Sequence, residues 1–256
     1  MKSTRFPIVA VVASAGGLDA FKQFLNAVPV NCDMAFVLVP HLDPKRESQM
    51  VALLSKGSLL PVVEANQGMV AEANHVYVIP SKNFLTIDDG VLQLSQPPTP
   101  QGRETAIDFF LRSLAKDQGE RSIGIVLSGT GSHGTLGIRD IKLAGGMAIA
   151  QMPSTAEFGS MPSSIINEGL ADYVLPPAEM PATLMRFMRQ PHSNATPSVA
   201  SEARAEDEQL QAILGQLRQH SRYDFGSYRK NMLLRRIQRR MGLLHLERLE
   251  EYIERL

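Results

Sequence analysis

Residues 8–18 read IVAVVASAGGL, and this stretch decides the fold. Ile8 to Val12 are all apolar, with no polar residue among them. An unbroken run of that length predicts a strand buried on both faces, which is the mark of a parallel sheet. Gly16 and Gly17 then permit a sharp turn and a close backbone approach. The run that follows, Leu18-Asp-Ala-Phe-Lys-Gln-Phe-Leu, has the spacing of an amphipathic helix. Ser14 therefore falls at the carboxyl end of a strand, just ahead of a helix N-terminus. Ligands bind at that edge of open α/β sheets, and the helix end offers N–H groups and partial positive charge. On this stretch alone Ser14 has three readings: a nucleophile, a phosphate-binding hydroxyl or an N-cap.

Working outward, strand-like and helix-like segments alternate as far as residue 190. Ala35 to Pro40 is a second strand, ending at His41, and a helix follows from about Glu47 to Leu54. Pro61 to Ala65 and His75 to Pro80 are short strands. Phe84 to Ile87 and Val91 to Leu94 flank Asp88-Asp-Gly90, which predicts a β-hairpin. Ile107, Phe110, Leu111 and Leu114 have helical spacing between Thr105 and Lys116. Ser122 to Ser128 is another buried strand and runs into the glycine-rich turn Gly129-Thr-Gly-Ser-His-Gly134. A helix (Thr135 to Leu143), a strand (Met147 to Gln151), a helix near Pro162 to Glu168, a strand near Tyr173 to Pro176 and a closing helix (Ala178 to Arg189) complete the series. The expected class is α/β: a doubly wound, mostly parallel sheet with helices on both faces and one β-hairpin, plus a short C-terminal helical segment. Residues 1–190 form the main domain. Residues 191–209, rich in Pro, Ser, Ala and Glu, make a linker, and 210–256 begin a helical domain.

Composition excludes several classes. The chain has 26 basic and 26 acidic residues, so no overall charge directs it to nucleic acid. Its single cysteine, Cys32, cannot form an intrachain disulfide and suits a reducing cytoplasm. There is no signal-peptide core and no stretch of eighteen apolar residues, so membrane insertion is not expected. No Cys/His spacing fits a zinc site, and neither G-x-G-x-x-G nor a Walker loop occurs, so neither a metal nor a cofactor is expected.

Three strand ends carry the residues for chemistry: Ser14, His41 and the turn 129–134. A serine hydroxyl is a weak nucleophile until a base takes its proton, and a histidine is the usual base. The arrangement is not the G-x-S-x-G elbow of α/β-hydrolases.

The pieces together resemble the catalytic domain of CheB-type chemotaxis methylesterases. The matching stretches are Val12-Ala-Ser-Ala-Gly-Gly17, the strand leading to His41, Val76-Tyr-Val-Ile-Pro80, Ala106-Ile-Asp-Phe-Phe110, Val126-Leu-Ser-Gly-Thr-Gly131, and Ala150-Gln151 leading to Phe158-Gly-Ser-Met-Pro162. They occur in family order across residues 7 to about 188. The resemblance implies hydrolysis of γ-glutamyl methyl esters on methyl-accepting chemoreceptors or related signalling proteins, often with deamidation of glutamines. It implies Ser14 as nucleophile, His41 as general base, and backbone N–H groups around Ala15 and Thr130 as the oxyanion site. The chain departs from the family at the third triad position, where the pattern has aspartate and this sequence has His133. Without a carboxylate, a deficit on the order of 10²–10⁴ in turnover is expected. Asp43 and Asp140 are the candidate substitutes.

The C-terminal stretches Tyr223-Asp-Phe-Gly-Ser-Tyr228, Leu234-Arg-Arg-Ile-Gln-Arg-Arg-Met241 and Leu249-Glu-Glu-Tyr252 resemble the start of the N-terminal helical domain of CheR-type receptor methyltransferases. On a helix, Leu233, Leu234, Ile237, Met241 and Leu244 share one face and Arg235, Arg236 and Arg239 another. With Arg240, these arginines are a solvated face or a surface for glutamate-rich receptor helices. Methyl transfer is not expected of this chain, nor is an attached phosphorylatable receiver domain. Two functions stay open: a serine esterase, and a receptor- or partner-binding domain weakened by His133.

Overall fold

The computed structural model describes residues 6–40, 49–81, 83–96 and 105–189, together with parts of 210–255. The chain forms two compact units, residues 1–183 and 184–256. The strands are β1 (Ile8–Ala13), β2 (Ala35–Pro40), β3 (Val62–Glu64), β4 (Met69–Val70), β5 (His75–Val78), β6 (Phe84–Asp88), β7 (Val91–Ser95), β8 (Ile123–Val126), β9 (Met147–Gln151) and β10 (Tyr173–Leu175). The helices are α1 (Gly17–Asn26), α2 (Met50–Ser55), α3 (Ala106–Gln118), α4 (Thr135–Leu143), α5 (Ser160–Asn167), α6 (Met180–Arg189) and α7 (Leu249–Arg255).

Seven strands make one sheet in the order β10-β9-β8-β1-β2-β5-β3, and every pairing in it is parallel. All six residues of β1 and all six of β2 are buried, so neither strand alternates polar with apolar. The apolar run is the direct consequence of helices covering both faces. Ile8, Ala10 and Val12 share a core with Phe110, Leu111 and Leu114 of α3 and with Ile138 and Ile141 of α4. On the opposite face Phe24 of α1 meets Phe36 of β2 edge-on, ring centroids 5.5 Å apart.

From the central pair β1 and β8 the crossovers diverge: α1 leads from β1 to β2, and α4 leads from β8 to β9 on the other side. The crevice beyond their carboxyl ends is the switch point where such sheets bind ligands. Ser14 and the turn 129–134 extend from these two strands.

The hairpin forms as expected, with Asp89 (φ 50°) and Gly90 (φ 75°) making a primed turn between β6 and β7. It belongs to a separate three-stranded antiparallel sheet with β4, a strand of two residues too short to show in the sequence pattern.

Two contacts fix α4, which carries the turn behind it. Gly137 lets α4 approach α3 closely, since a Cβ there would sit 2.4 Å from Leu111 Cβ. Asp108, buried in the first turn of α3, accepts from Gly137 N–H at 3.0 Å. That carboxylate sits against the positive end of α4.

At the other end of α4, Lys142 Nζ pairs with Asp172 at 2.5 Å, and Asp172 Oδ2 also accepts from Ala148 N–H at 2.8 Å. The Asp172 side chain is only 8% exposed. Asp172→Ala strands both donors and is expected to lower stability by about 2–3 kcal/mol, read as a shift of the urea midpoint. A midpoint unchanged within error would show that the pair contributes nothing.

In the second unit, Leu210, Ile213, Ile237, Met241 and Tyr252 form a core of their own. Leu233 and Leu244 pack against it, as the helical spacing predicts. Leu234 lies outside the described residues.

Candidate active site

Ser14 is the first residue past β1 and is half-buried. Its N–H donates to Ser128 O at 2.9 Å, so the β1–β8 ladder continues beyond both strands and brings the turn 129–134 beside it. On its other side Ala13 pairs in register with Pro40. The residue preceding Ser14 thus stands next to the residue preceding His41. His41 itself, like Asp43, lies outside the described residues.

The chain turns sharply at Ala15 and Gly16. Ser14 O accepts from Gly17 N–H at 3.0 Å. Gly16 has φ 70° and ψ 4°. A Cβ on Gly16 would come within 2.7 Å of Ser128 Oγ and of Glu157 Cβ, so no other residue fits without displacement. The paired glycines are thus a steric requirement of the strand-to-helix turn.

Three helices begin at this edge: α1 directly after Ser14, α4 after the turn 129–134, and α5 after Gly159. Met161 N–H, in the first turn of α5, donates to Gly129 O at 3.0 Å, which draws that helix start to the same place. Helix N-termini favour negative charge nearby. The edge is therefore suited to an oxyanion developing next to Ser14.

Ala15 is half-buried, with its carbonyl held by Ser128 Oγ at 2.8 Å. Thr130 is exposed in the turn. His133 is half-buried there, its ring over Gly131, with Nε2 3.8 Å from where a Cβ of Gly131 would lie. Asp140 is committed elsewhere: its carboxylate binds Arg112 Nε at 3.0 Å on the surface of α3 and α4. Of the cluster of arginines, Arg235, Arg236 and Arg239 lie outside the described residues. Arg240 is exposed and hydrogen-bonds Tyr252, an interaction that opposes the upward push of burial on the Tyr252 phenol. Among the described residues there is no cluster of three or more His, Cys, Asp or Glu side chains able to hold a metal, and no helix is long and apolar enough to cross a membrane.

Sequence reasoning missed the groups that hold these loops together. Ser128 and Gln151 are buried polar residues at the ends of two apolar strands. Ser128 N–H donates to Gln151 Oε1 at 2.8 Å, and Gln151 Nε2 donates to Thr155 O at 3.0 Å. Phe158 N–H donates to Ser128 Oγ at 3.0 Å, and Gly129 N–H to Phe158 O at 2.9 Å. The available signal was a polar residue closing an otherwise apolar strand, since such groups are buried only when paired.

Residues 9–184 match the CheB methylesterase family, and residues 208–256 match the all-alpha domain of CheR methyltransferases. A protein-glutamate methylesterase/protein-glutamine glutaminase of Pyrococcus abyssi is 33% identical over 182 residues, which is 70% of this chain and 50% of that one. The protein-glutamate methylesterase FrzG of Myxococcus xanthus is 30% identical over 184 residues, covering 72% of this chain and 55% of FrzG. A 104.1 kDa protein of Rhodobacter capsulatus is 31% identical over 227 residues, covering 81% of this chain and 24% of its own. This chain thus spans about half the length of the methylesterases it matches. The crystal structure of the CheB methylesterase catalytic domain of Thermotoga maritima superposes with a TM-score of 0.65 at 30% identity, over 71% of this chain and 98% of that domain.

Proposed function

The chain belongs to the CheB methylesterase family, and from that premise we propose that it hydrolyses γ-glutamyl methyl esters on chemoreceptors, in signal adaptation of the chemotaxis type. The observation that carries the reading is the position of Ser14 at the β1–β8 switch point, beside the turn 129–134 and one residue past the Ala13–Pro40 pairing of β1 and β2.

Ser14 Oγ attacks the ester carbonyl carbon while His41 takes its proton. The carbonyl oxygen becomes an oxyanion, stabilised by backbone N–H groups around Ala15 and Thr130 and by the helix N-termini. The C–O bond to the methoxy group breaks, and methanol leaves with the proton from His41. Water then cleaves the acyl-serine by the same route, giving a glutamate carboxylate. A glutamine side chain, attacked likewise, releases ammonia, which is deamidation. In this reading His133 takes the orienting role toward His41 that the family gives to an aspartate. The reaction needs no metal or cofactor.

The test is methanol release from methylated receptor, followed together with the loss of 14 Da per site that methyl removal gives in receptor peptides. Release well above the rate without protein supports the reading, and release at the background rate refutes it.

A second reading has one observation in its favour, the histidine at position 133. In it the domain binds receptor or partner and hydrolyses weakly. The arginines at 235, 236, 239 and 240 serve either reading as a surface for acidic receptor helices. Nucleic acid and membrane insertion have no part in either, and the location is cytoplasmic.

The reading also divides the chain into a methylesterase domain (1–190), a linker (191–209) and a partial methyltransferase-type helical domain (210–256). Limited proteolysis is expected to cut between Gln190 and Asp207 and leave a folded 1–190 fragment. Unfolding of that fragment after cleavage would mean that the chain is one integrated domain.

A further inference from the structure

We propose that Ser128 is a positioning residue for the oxyanion site, acting by fixing the orientation of the Ala15–Gly16 peptide. The inference rests on the reading of Ser14 as nucleophile and names the group that shapes the turn behind it.

The turn from Ser14 to Gly17 is closed by Gly17 N–H on Ser14 O at 3.0 Å. Gly16, its third residue, has φ 70° and ψ 4°, while Ala15 has negative φ. That is the type II pattern. Type I and type II turns share their ends and differ by a flip of the central peptide, which here is Ala15–Gly16. Glycine at the third position accepts either form, so the local sequence does not choose between them.

Ser128 makes the choice. Its hydroxyl is fully buried and donates to Ala15 O at 2.8 Å. The same oxygen accepts from Phe158 N–H at 3.0 Å, and its proton goes to Ala15 O as the nearer of two acceptors, since Phe158 O lies at 3.4 Å and already accepts from Gly129 N–H. In a trans peptide the N–H points opposite the carbonyl. A carbonyl drawn toward Ser128 therefore turns Gly16 N–H to the opposite side of the peptide plane. Ser14 O, held by Gly17, fixes Ala15 N–H in the same way. Both peptides following the nucleophile are pinned by their oxygens, and their N–H groups are set before substrate arrives. Preorganised donors of this kind carry much of oxyanion stabilisation.

The serine is also held from behind. Its N–H is bound to Gln151 Oε1 and its carbonyl to Ser14 N–H, so the hydroxyl has a fixed origin. Removing the hydroxyl leaves Ser128's own backbone bonds in place, frees the Ala15–Gly16 peptide and takes the acceptor from Phe158 N–H.

Ser128→Ala is expected to lower kcat for methyl-ester hydrolysis by about 10²–10³, the loss typical of one oxyanion donor, with KM nearly unchanged. Ser128→Thr, which keeps the hydroxyl, is expected to recover most of the loss. Rates are expressed per active site titrated with a fluorophosphonate, which removes any unfolded fraction. A second measurement does not depend on turnover. Labelling with ¹³C′-alanine and ¹⁵N-glycine selects the Ala-Gly pairs at 15–16 and 144–145. The Gly16 amide resonance is expected to shift or broaden in Ser128→Ala, while that of Gly145 stays in place. An unmoved Gly16 resonance overturns the proposal, as does an unchanged kcat per active site. If Ser14→Ala leaves hydrolysis intact, the nucleophile assignment fails instead, and the Gly16 resonance still decides whether Ser128 sets the peptide.

Discussion

Ser14→Ala is expected to lower methanol release from methylated receptor by roughly three to six orders of magnitude, to the rate that bound water achieves unaided. The Ser14 oxygen is the atom that bonds to the ester carbon, so its loss removes the covalent route and the benefit of activation by histidine. The fold is expected to survive. Ser14 is only half-buried, and its N–H bond to Ser128 and the bond its carbonyl accepts from Gly17 belong to the backbone, which alanine keeps. KM is expected to change little, because the missing atom acts in the transition state. Hydrolysis within tenfold of the natural chain would mean that another group attacks the ester.

His133→Asp is expected to act in the opposite direction, raising turnover by about one to four orders of magnitude. A carboxylate behind the general base fixes its tautomer and stabilises the imidazolium formed during attack, which a neutral histidine does only through a hydrogen bond. The site tolerates the change on physical grounds. Residue 133 comes just before Gly134, the N-cap of α4, with Thr135 N–H closing onto Ser132 O at 3.2 Å. Negative charge is favoured at such a helix start by about 0.3–1 kcal/mol. If His133→Asp and His133→Ala both leave turnover unchanged, position 133 does not orient the base, and the roles of Ser14 and His41 stand without it.

The sequence made the parallel sheet legible because β1 and β2 are buried on both faces, which leaves a continuous apolar run in place of alternation. The hairpin was legible because Asp89-Gly90 is a turn with its own chemistry. Strand β4 was not, since two residues carry no period. At the site, the placement of Ser14 and of the turn 129–134 followed from strand ends and glycines, which are local signals. The roles of Ser128 and Gln151 were not legible, although each shows in the sequence as a polar residue closing an apolar strand. Their partners, Ala15 and Thr155, are set by strand order and loop packing, and nothing in the neighbouring residues encodes those contacts. Asp140 looked available in the sequence, and only the packing of α4 on α3 shows that Arg112 holds it.

The central claim is that Ser14 is an activated nucleophile, and covalent trapping tests it most directly. The chain is incubated with a fluorophosphonate, its intact mass is measured, and the adduct is located by peptide mass spectrometry. The account predicts one adduct per chain, on the peptide containing Ser14, absent from Ser14→Ala and formed in step with the loss of methanol release. An adduct on another residue, or undiminished methanol release from chains fully labelled at Ser14, would contradict it.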